Sequence, residues 1–217
     1  MLLNIKKLLL PLPRYMKIKF IFYIIACFLF LNACVEEKSY TLEGNIRGLA
    51  NPILYITPFG AKTDTVYSKY GEFKYIGASD SIQSIQVGME NDSVWITVWA
   101  QNGQVIEISG NVEYLELIAS NGNEINDLLT EFRQINRTII KEWNDTNDEV
   151  RKEELMQILI QYSQVFIRQH PASIASLVLI QDYLVKSNDL SVVSDALSLI
   201  ESPARDSALY QQLRTVY

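Results

Sequence analysis

The chain has 217 residues, of which 48% are hydrophobic and 20% are charged, and its formal net charge is −6. An acidic chain lacks the excess of Lys and Arg that binds a phosphate backbone, so the composition argues against a nucleic-acid partner. The chain has one histidine and two cysteines, Cys27 and Cys34. A metal site of several histidines is therefore excluded.

Residues 1–33 have the pattern of a bacterial lipoprotein signal peptide. Two lysines precede a run of twelve uncharged, mostly apolar residues, 20–31. A membrane-spanning helix needs about 20 such residues, so this run suits a signal peptide better. Cys34 follows Ala33 directly, and a polar, acidic stretch comes after it. We therefore predict cleavage before Cys34 and lipidation of Cys34.

The same segment leaves two alternatives open. Met16 begins a compact signal of its own, so it is a second candidate for the initiator, and an uncleaved anchor is the alternative to processing. Residues 34–38 are predicted to form a tether, in which Glu36-Glu37 suits an ordinary solvated linker or the acidic tether of a cell-surface lipoprotein. Because Val35 rather than aspartate follows Cys34, we expect an outer-membrane lipoprotein that faces the periplasm or the cell surface.

Processing would make the chain more acidic and remove its thiols. Loss of residues 1–33 removes five of the 19 basic residues and none of the 25 acidic ones, which changes the net charge from −6 to −11. Both cysteines lie at or before position 34, and lipid would occupy the sulfur of Cys34. The processed chain is therefore predicted to contain no structural disulfide, no thiolate metal site and no C-x-x-C redox site.

Residues 39–120 are predicted to form an antiparallel β-domain. Short runs rich in Val, Ile, Tyr and Thr alternate with turn signals such as Tyr70-Gly71 and Asn102-Gly103. The eight predicted strands cover residues 40–46, 53–56, 64–67, 72–76, 82–87, 93–99, 104–108 and 114–118. Eight strands with no helix between them favour a β-sandwich or a partly open barrel.

The strand at 93–99 is apolar on both sides and has two interpretations. Trp95, Thr97 and Trp99 share one side, and valine and isoleucine occupy the other. The aromatic side could be a platform for a sugar or a peptide. We favour the other interpretation, a strand covered on both faces in a sheet packed against the helices.

Residues 121–217 change to helical periodicity and are predicted to form a bundle of about five helices. The bundle would complete an α+β fold. The first predicted helix has an apolar stripe from Ile125 to Trp143, and the second has a stripe from Leu155 to Phe166 and begins with a capping box of Thr146 and Glu149. The third covers 174–184, the fourth is capped by Asp189, and the fifth begins at Ser202-Pro203. His170, which precedes Pro171, is predicted to be a surface residue at a helix junction.

Six short motifs between residues 42 and 176 resemble those of a known family. They are Leu42-x-Gly44-x-Ile46, Ile53-Leu-Tyr-Ile56, Asp64-Thr-Val66, Gly71-x-Phe73-x-Tyr75, Ala119-Ser-Asn-Gly-Asn-Glu124 and His170-Pro-Ala-Ser-Ile-Ala-Ser176. With the lipoprotein signal, they resemble the N-terminal domain of unknown function of thioredoxin-like (TlpA/ResA-type) thiol:disulfide oxidoreductase lipoproteins. In that family a thioredoxin domain with a C-x-x-C site follows. This sequence departs there, at Tyr217, so the redox activity of the family is not carried over.

Two functions from different classes follow from these patterns. We expect a non-catalytic lipoprotein of the bacterial cell envelope, a membrane-anchored accessory or binding module, with no catalytic, cofactor-binding or metal-binding residue. The alternative is the targeting half, or a truncated remnant, of a split thiol:disulfide oxidoreductase. That alternative makes a separate thioredoxin-like protein a candidate partner.

Overall fold

The computed structural model describes residues 38–49, 53–89, 95–187 and 189–217. Strands come first and helices second in Lys38–Tyr217, which forms one compact unit. This order confirms the predicted α+β class. The predicted signal peptide and the predicted lipidation residue, Cys34, lie outside the described residues.

Eight strands in the described residues form two four-stranded sheets. The strands are β1 (Tyr40–Arg47), β2 (Ile53–Pro58), β3 (Asp64–Tyr67), β4 (Glu72–Gly77), β5 (Gln83–Met89), β6 (Trp95–Ala100), β7 (Val105–Asn111) and β8 (Ala119–Asn121). Sheet I has the order β4-β1-β7-β8, and sheet II has the order β3-β2-β5-β6.

Strand pairing is antiparallel, as predicted, except between β1 and β7. These two strands run parallel, with Leu42 opposite Ile106 and Gly44 opposite Ile108. Parallel neighbours require a long connection, and here the chain passes through sheet II between them. The sandwich is therefore antiparallel with one parallel pair at the centre of sheet I.

The inner faces of the two sheets form the first hydrophobic core. In β1 the buried and exposed residues alternate, so that Leu42 and Ile46 point inward. Gly44 lies between them on the same face, and the ring of Phe73 fills the space that a Cβ on Gly44 would need. Strict alternation is what a sheet with one buried face requires.

The predicted strand at 114–118 is wrong. Residues Val112–Leu117 form a short 3-10 helix, and the eighth strand is Ala119–Asn121 instead. The side chain of Asn111 accepts a hydrogen bond from the backbone N–H of Glu113 at 3.1 Å, which caps the turn at its start. An alternating run of five residues fits a short helix as well as a strand, and this cap decides between them.

Six α-helices follow in the described residues. They are α1 (Glu124–Ile135), α2 (Arg137–Asp145), α3 (Glu149–Gln169), α4 (Ile174–Asp182), α5 (Leu190–Leu199) and α6 (Ala208–Val216). Ser173 caps α4, Asp189 caps α5 as predicted, and Ser207 caps α6, each accepting a backbone N–H in the first turn.

Three details of the helix prediction are wrong. The stripe from Ile125 to Trp143 belongs to two helices, because Asn136 ends α1 and its side chain donates to the carbonyl of Phe132. Asp148, not Thr146, caps α3. The buried face of α3 also differs from the predicted apolar stripe, which included Tyr162 and Val165. Both of these residues are exposed, and the buried residues are Leu155, Met156, Leu159, Ile160, Ser163, Phe166 and Ile167.

Candidate binding groove

A groove of about 1450 Å³ lies between the outer face of sheet II and the helices α4 and α6. Ser84, Gln86 and Thr97 line it from the sheet. Gln181, Leu209 and Gln212 line it from the helices. The sheet residues alternate with the buried core residues of β5 and β6, which places their side chains on the outer face.

Trp99 forms part of the apolar base of this groove. It is only 8% exposed and packs in a buried cluster with Leu129, Phe132, Phe166, Ala175, Val178 and Leu179. Helices therefore cover this side of β6, which confirms the favoured interpretation of the strand at Trp99 and rules out an open platform there. The indole N–H of Trp99 has no hydrogen-bond partner in the described part of the chain, although buried indole groups usually find one.

Two asparagines join α1 to β6 at this same residue. The side chain of Asn126, which is fully buried, accepts the backbone N–H of Trp99 and donates to its carbonyl oxygen. Asn123 caps α1 and donates to the same carbonyl at 2.8 Å and to Oε1 of Gln104 at 2.9 Å. These bonds fix the position of the first turn of α1 beside the groove.

Charged groups from several elements collect along one part of the groove. Glu116, Arg133, Asp182 and Lys186 all line it. The ammonium of Lys186 lies 6.0 Å from the ring centroid of Tyr183 and 5.9 Å from that of Trp143. Cations are attracted to aromatic faces at this range.

The environment in this part of the groove raises the pKa values of two neighbouring residues, Asp182 and Tyr183. Burial raises the pKa of Tyr183 to about 12, and the carboxylate of Asp182 contributes in the same direction. Asp182 keeps contact with solvent, but the protein atoms around it reduce its hydration and raise the pKa of its carboxyl. Arg133 and Lys186 oppose that shift and do not reverse it.

Besides Thr97 and Trp99, the residues singled out in the sequence lie away from the groove, as His170 does, or outside the described residues, as Cys34 does. His170 ends α3 at a junction between helices, half-buried, with its ring centroid 4.5 Å from that of Phe166. Its place at a helix junction is confirmed. Among the described residues, no group of three His, Cys, Asp or Glu is arranged to hold a metal ion, and no helix is long and apolar enough to cross a membrane.

Most of the groove residues could not be recognised from the sequence. Gln86 and Thr97 occupy polar positions of alternating strands, which is also the pattern of a face in contact with water. Gln181 is a polar residue near the end of α4, and Gln212 is a polar residue in the middle of α6. Only the packing of α4 and α6 over sheet II turns these positions into the walls of one groove.

No protein-family model matches this chain, and no curated protein or solved structure matches it either. The resemblance to the N-terminal domain of thioredoxin-like lipoproteins therefore stays a prediction from the motifs.

Proposed function

We propose that this protein is a non-catalytic lipoprotein of the bacterial cell envelope, a binding module attached to the outer membrane through lipid on Cys34. The groove between sheet II and the helices is the observation that supports a binding role. Ligand sites in proteins are typically concave, with an apolar base and a small number of polar groups that orient the ligand.

The groove has this combination of surfaces. Trp99, Val178 and Leu209 supply apolar surface. Amide and hydroxyl groups of Gln86, Thr97 and other residues supply hydrogen-bond donors and acceptors. A volume of about 1450 Å³ exceeds that of a typical small-molecule pocket, which is roughly 300 to 1,000 Å³. The size favours an extended ligand or part of a macromolecule.

Site-specific crosslinking in the producing cells tests this proposal. A photoreactive amino acid at position 86 would lie on the wall of the groove. The same amino acid at Glu107, an exposed residue on sheet I, is the matched control. We expect a discrete crosslinked species at position 86 that is absent at position 107.

Two results would contradict a non-catalytic binding module. One is equal labelling at positions 86 and 107, which would show that the groove has no particular ligand. The other is turnover of peptides, glycans or esters by the purified protein, abolished by substitutions in the groove. A thioredoxin-like lipoprotein as the crosslinked species would favour the split oxidoreductase instead.

A further inference from the structure

We propose that the groove binds an extended, basic polypeptide segment, which pairs as an added strand with the outer edge of β6 at Thr97. This inference rests on the proposed function and names the class of ligand that the groove takes. Strand addition to an exposed sheet edge is a general mode of peptide recognition, in which main-chain hydrogen bonds supply affinity.

The register of sheet II fixes the direction of the backbone groups in β6. Strand β6 pairs with β5 only, with Val98 opposite Ile85 and Thr97 opposite Gln86. The carbonyl of Ser84 accepts from Phe59 on the β2 side, at 2.9 Å. Every second residue of β5 therefore faces β2, and the residues between them face β6.

The same alternation places Trp99 and Thr97 on the outer edge of β6. Trp99 confirms the direction, because its N–H and carbonyl both bond to the side chain of Asn126, which lies outside the sheet. Thr97 is two residues earlier, so its N–H and carbonyl face the same way. In the described part of the chain, no hydrogen bond to these two groups of Thr97 is present.

Asn126 shows that this edge accepts a peptide-like partner. A side-chain amide carries the same N–H donor and carbonyl acceptor as a peptide unit. Asn126 occupies the strand position next to Trp99, and no residue of the described part of the chain bonds to the backbone at the position next to Thr97. A peptide bonded to Thr97 would continue the line of hydrogen bonds that Asn126 begins.

The groove reaches this edge as well as the outer face. Ile96 points into the sandwich core and Thr97 points outward, yet both line the groove. Leu115 and Glu116, which follow β7 of sheet I, line it too. Because Ile96 and Thr97 lie on opposite faces of β6, a space that both residues border reaches the edge of that strand.

The charge of the groove selects among extended peptides. Four carboxylates line it against two basic groups: Glu116, Glu124, Asp182 and Asp206 against Arg133 and Lys186. The whole chain is also acidic, with a formal net charge of −6. Complementary charge favours encounter and suppresses wrong partners, so the ligand is a segment that carries Lys or Arg.

A matched pair of variants tests the strand pairing. Thr97→Pro removes the outward N–H, and proline is tolerated on an edge strand whose N–H bonds to nothing in the fold. Thr97→Val keeps the N–H and the shape of the side chain. We expect the melting temperatures of the two variants to agree within about 4 °C. Because proline also fixes φ, a Thr97→Pro variant that fails to fold leaves the decision to the exchange of the Thr97 amide hydrogen in the unsubstituted chain, where an exchange rate unchanged by bound peptide overturns the proposal.

The binding probe is a phage-displayed library of random 12-residue peptides, selected on the full chain in mild detergent. We expect the enriched peptides to carry Lys or Arg, and to bind Thr97→Pro at least about 10-fold more weakly than Thr97→Val, since one lost hydrogen bond at the edge accounts for such a factor. In the unsubstituted chain, the amide hydrogen of Thr97 should exchange at least about 10-fold more slowly with peptide bound.

Three outcomes of the peptide selection would overturn the proposed strand pairing. No enrichment, enrichment of acidic peptides, or equal binding to both variants would show that the edge of β6 does not select a basic strand. If position 86 nevertheless crosslinks to a ligand of another kind in cells, the binding-module proposal survives and only this inference fails.

Discussion

The side-chain amide of Asn126 takes the place of a neighbouring strand beside Trp99. Its Oδ1 accepts the backbone N–H of Trp99 at 3.0 Å, and its Nδ2 donates to the carbonyl of Trp99 at 2.7 Å. Asn126 is fully buried and also lies 3.4 Å from Oγ of Ser120. Asn126 thereby fastens the first helix to the edge of the sandwich. It is the partner of the buried N–H of Trp99 and supplies one of two hydrogen bonds to the carbonyl, the other coming from Asn123.

We expect Asn126→Ala to lower the free energy of unfolding by about 2 to 4 kcal/mol. The substitution leaves the buried N–H of Trp99 without its partner, which costs roughly 1 to 3 kcal/mol, and removes one of the two hydrogen bonds to the carbonyl, which costs about 1 kcal/mol more. Asn144→Ala is the control, because Asn144 makes one hydrogen bond to the carbonyl of Ile140 in its own helix. Urea unfolding measures both, and equal effects would contradict a special role for Asn126.

A substitution in the turn between β3 and β4 should raise the free energy of unfolding. Tyr70 and Gly71 have φ values of 56° and 86°, between Lys69 and Glu72, whose backbones bond to each other in both directions. Such a turn favours Asn-Gly, and a tyrosine with positive φ is strained.

Tyr70→Asn should therefore raise the free energy of unfolding by about 1 kcal/mol. The side chain of Tyr70 is 93% exposed, so little packing is lost. Tyr67→Asn is a suitable control, since Tyr67 is also exposed but lies in a strand, where asparagine is disfavoured. A destabilised Tyr70→Asn variant would contradict the strained geometry of this turn.

Sequence patterns predicted the fold correctly where one face of a helix or strand is buried and the other is exposed to solvent. In β1, Leu42, Gly44 and Ile46 were expected on one face and do line the core. The alternation is informative because a shift of one residue would expose all of them. The pattern was also informative for the strand of Trp99. Both of its sides are apolar, which predicted burial on both faces, and Trp99 is buried.

The failures occurred where one polar side chain decides between two conformations. Asn136 donates to the carbonyl of Phe132 and ends a helix that apolar periodicity alone would continue. Asn111 caps a short helix where alternation suggested a strand. The groove could not be predicted for another reason: Gln86 and Gln181 are distant in sequence, and only tertiary packing makes them neighbours.

The stability of the protein should depend on the protonation of Asp182. Its folded-state pKa is raised, first by reduced hydration, so the folded state favours the neutral carboxyl. This contribution is present at pH values below the unfolded pKa of 3.8 and is lost as the pH rises through the folded pKa. Asp182→Asn should therefore raise the urea midpoint at about pH 7 and have little effect at about pH 3.

Asp189→Asn is the control with the opposite sign. The hydrogen bonds from Ser191 lower the pKa of Asp189, so its contribution is present above the unfolded pKa and is lost as the pH falls through the folded pKa. This variant should lower the urea midpoint at neutral pH. A shift of the same sign in both variants would contradict the groove as the cause of the Asp182 effect.

Cys34→Ala should release the protein from the membrane or stop its maturation. Lipid chains on Cys34 would anchor the protein, because each buried methylene contributes roughly 0.8 kcal/mol. Cys27→Ala is the matched control, since Cys27 lies within the apolar run of the signal and should tolerate alanine. Membrane fractionation measures the effect. An intact N-terminus from Met1 or Met16 with unmodified Cys34, seen by mass spectrometry, would contradict the lipoprotein assignment.

The processed chain is expected to have no thiol–disulfide activity of its own. Disulfide exchange requires a thiolate that attacks sulfur and forms a mixed disulfide. Residues 35–217 contain no cysteine, and lipid attachment would convert the sulfur of Cys34 to a thioether, so neither the attacking nor the resolving thiol would be present.

A soluble form that spans residues 35–217 tests this expectation in an insulin-reduction assay, with thioredoxin as the positive control. We expect no reduction above the rate without protein. Reduction that persists after contaminating oxidoreductases are removed would show that the chemistry assigned to this chain is wrong. A silent assay together with stable, stoichiometric pairing to a separate thioredoxin-like lipoprotein would favour the split oxidoreductase over the independent binding module, because the missing thiols would then come from the partner.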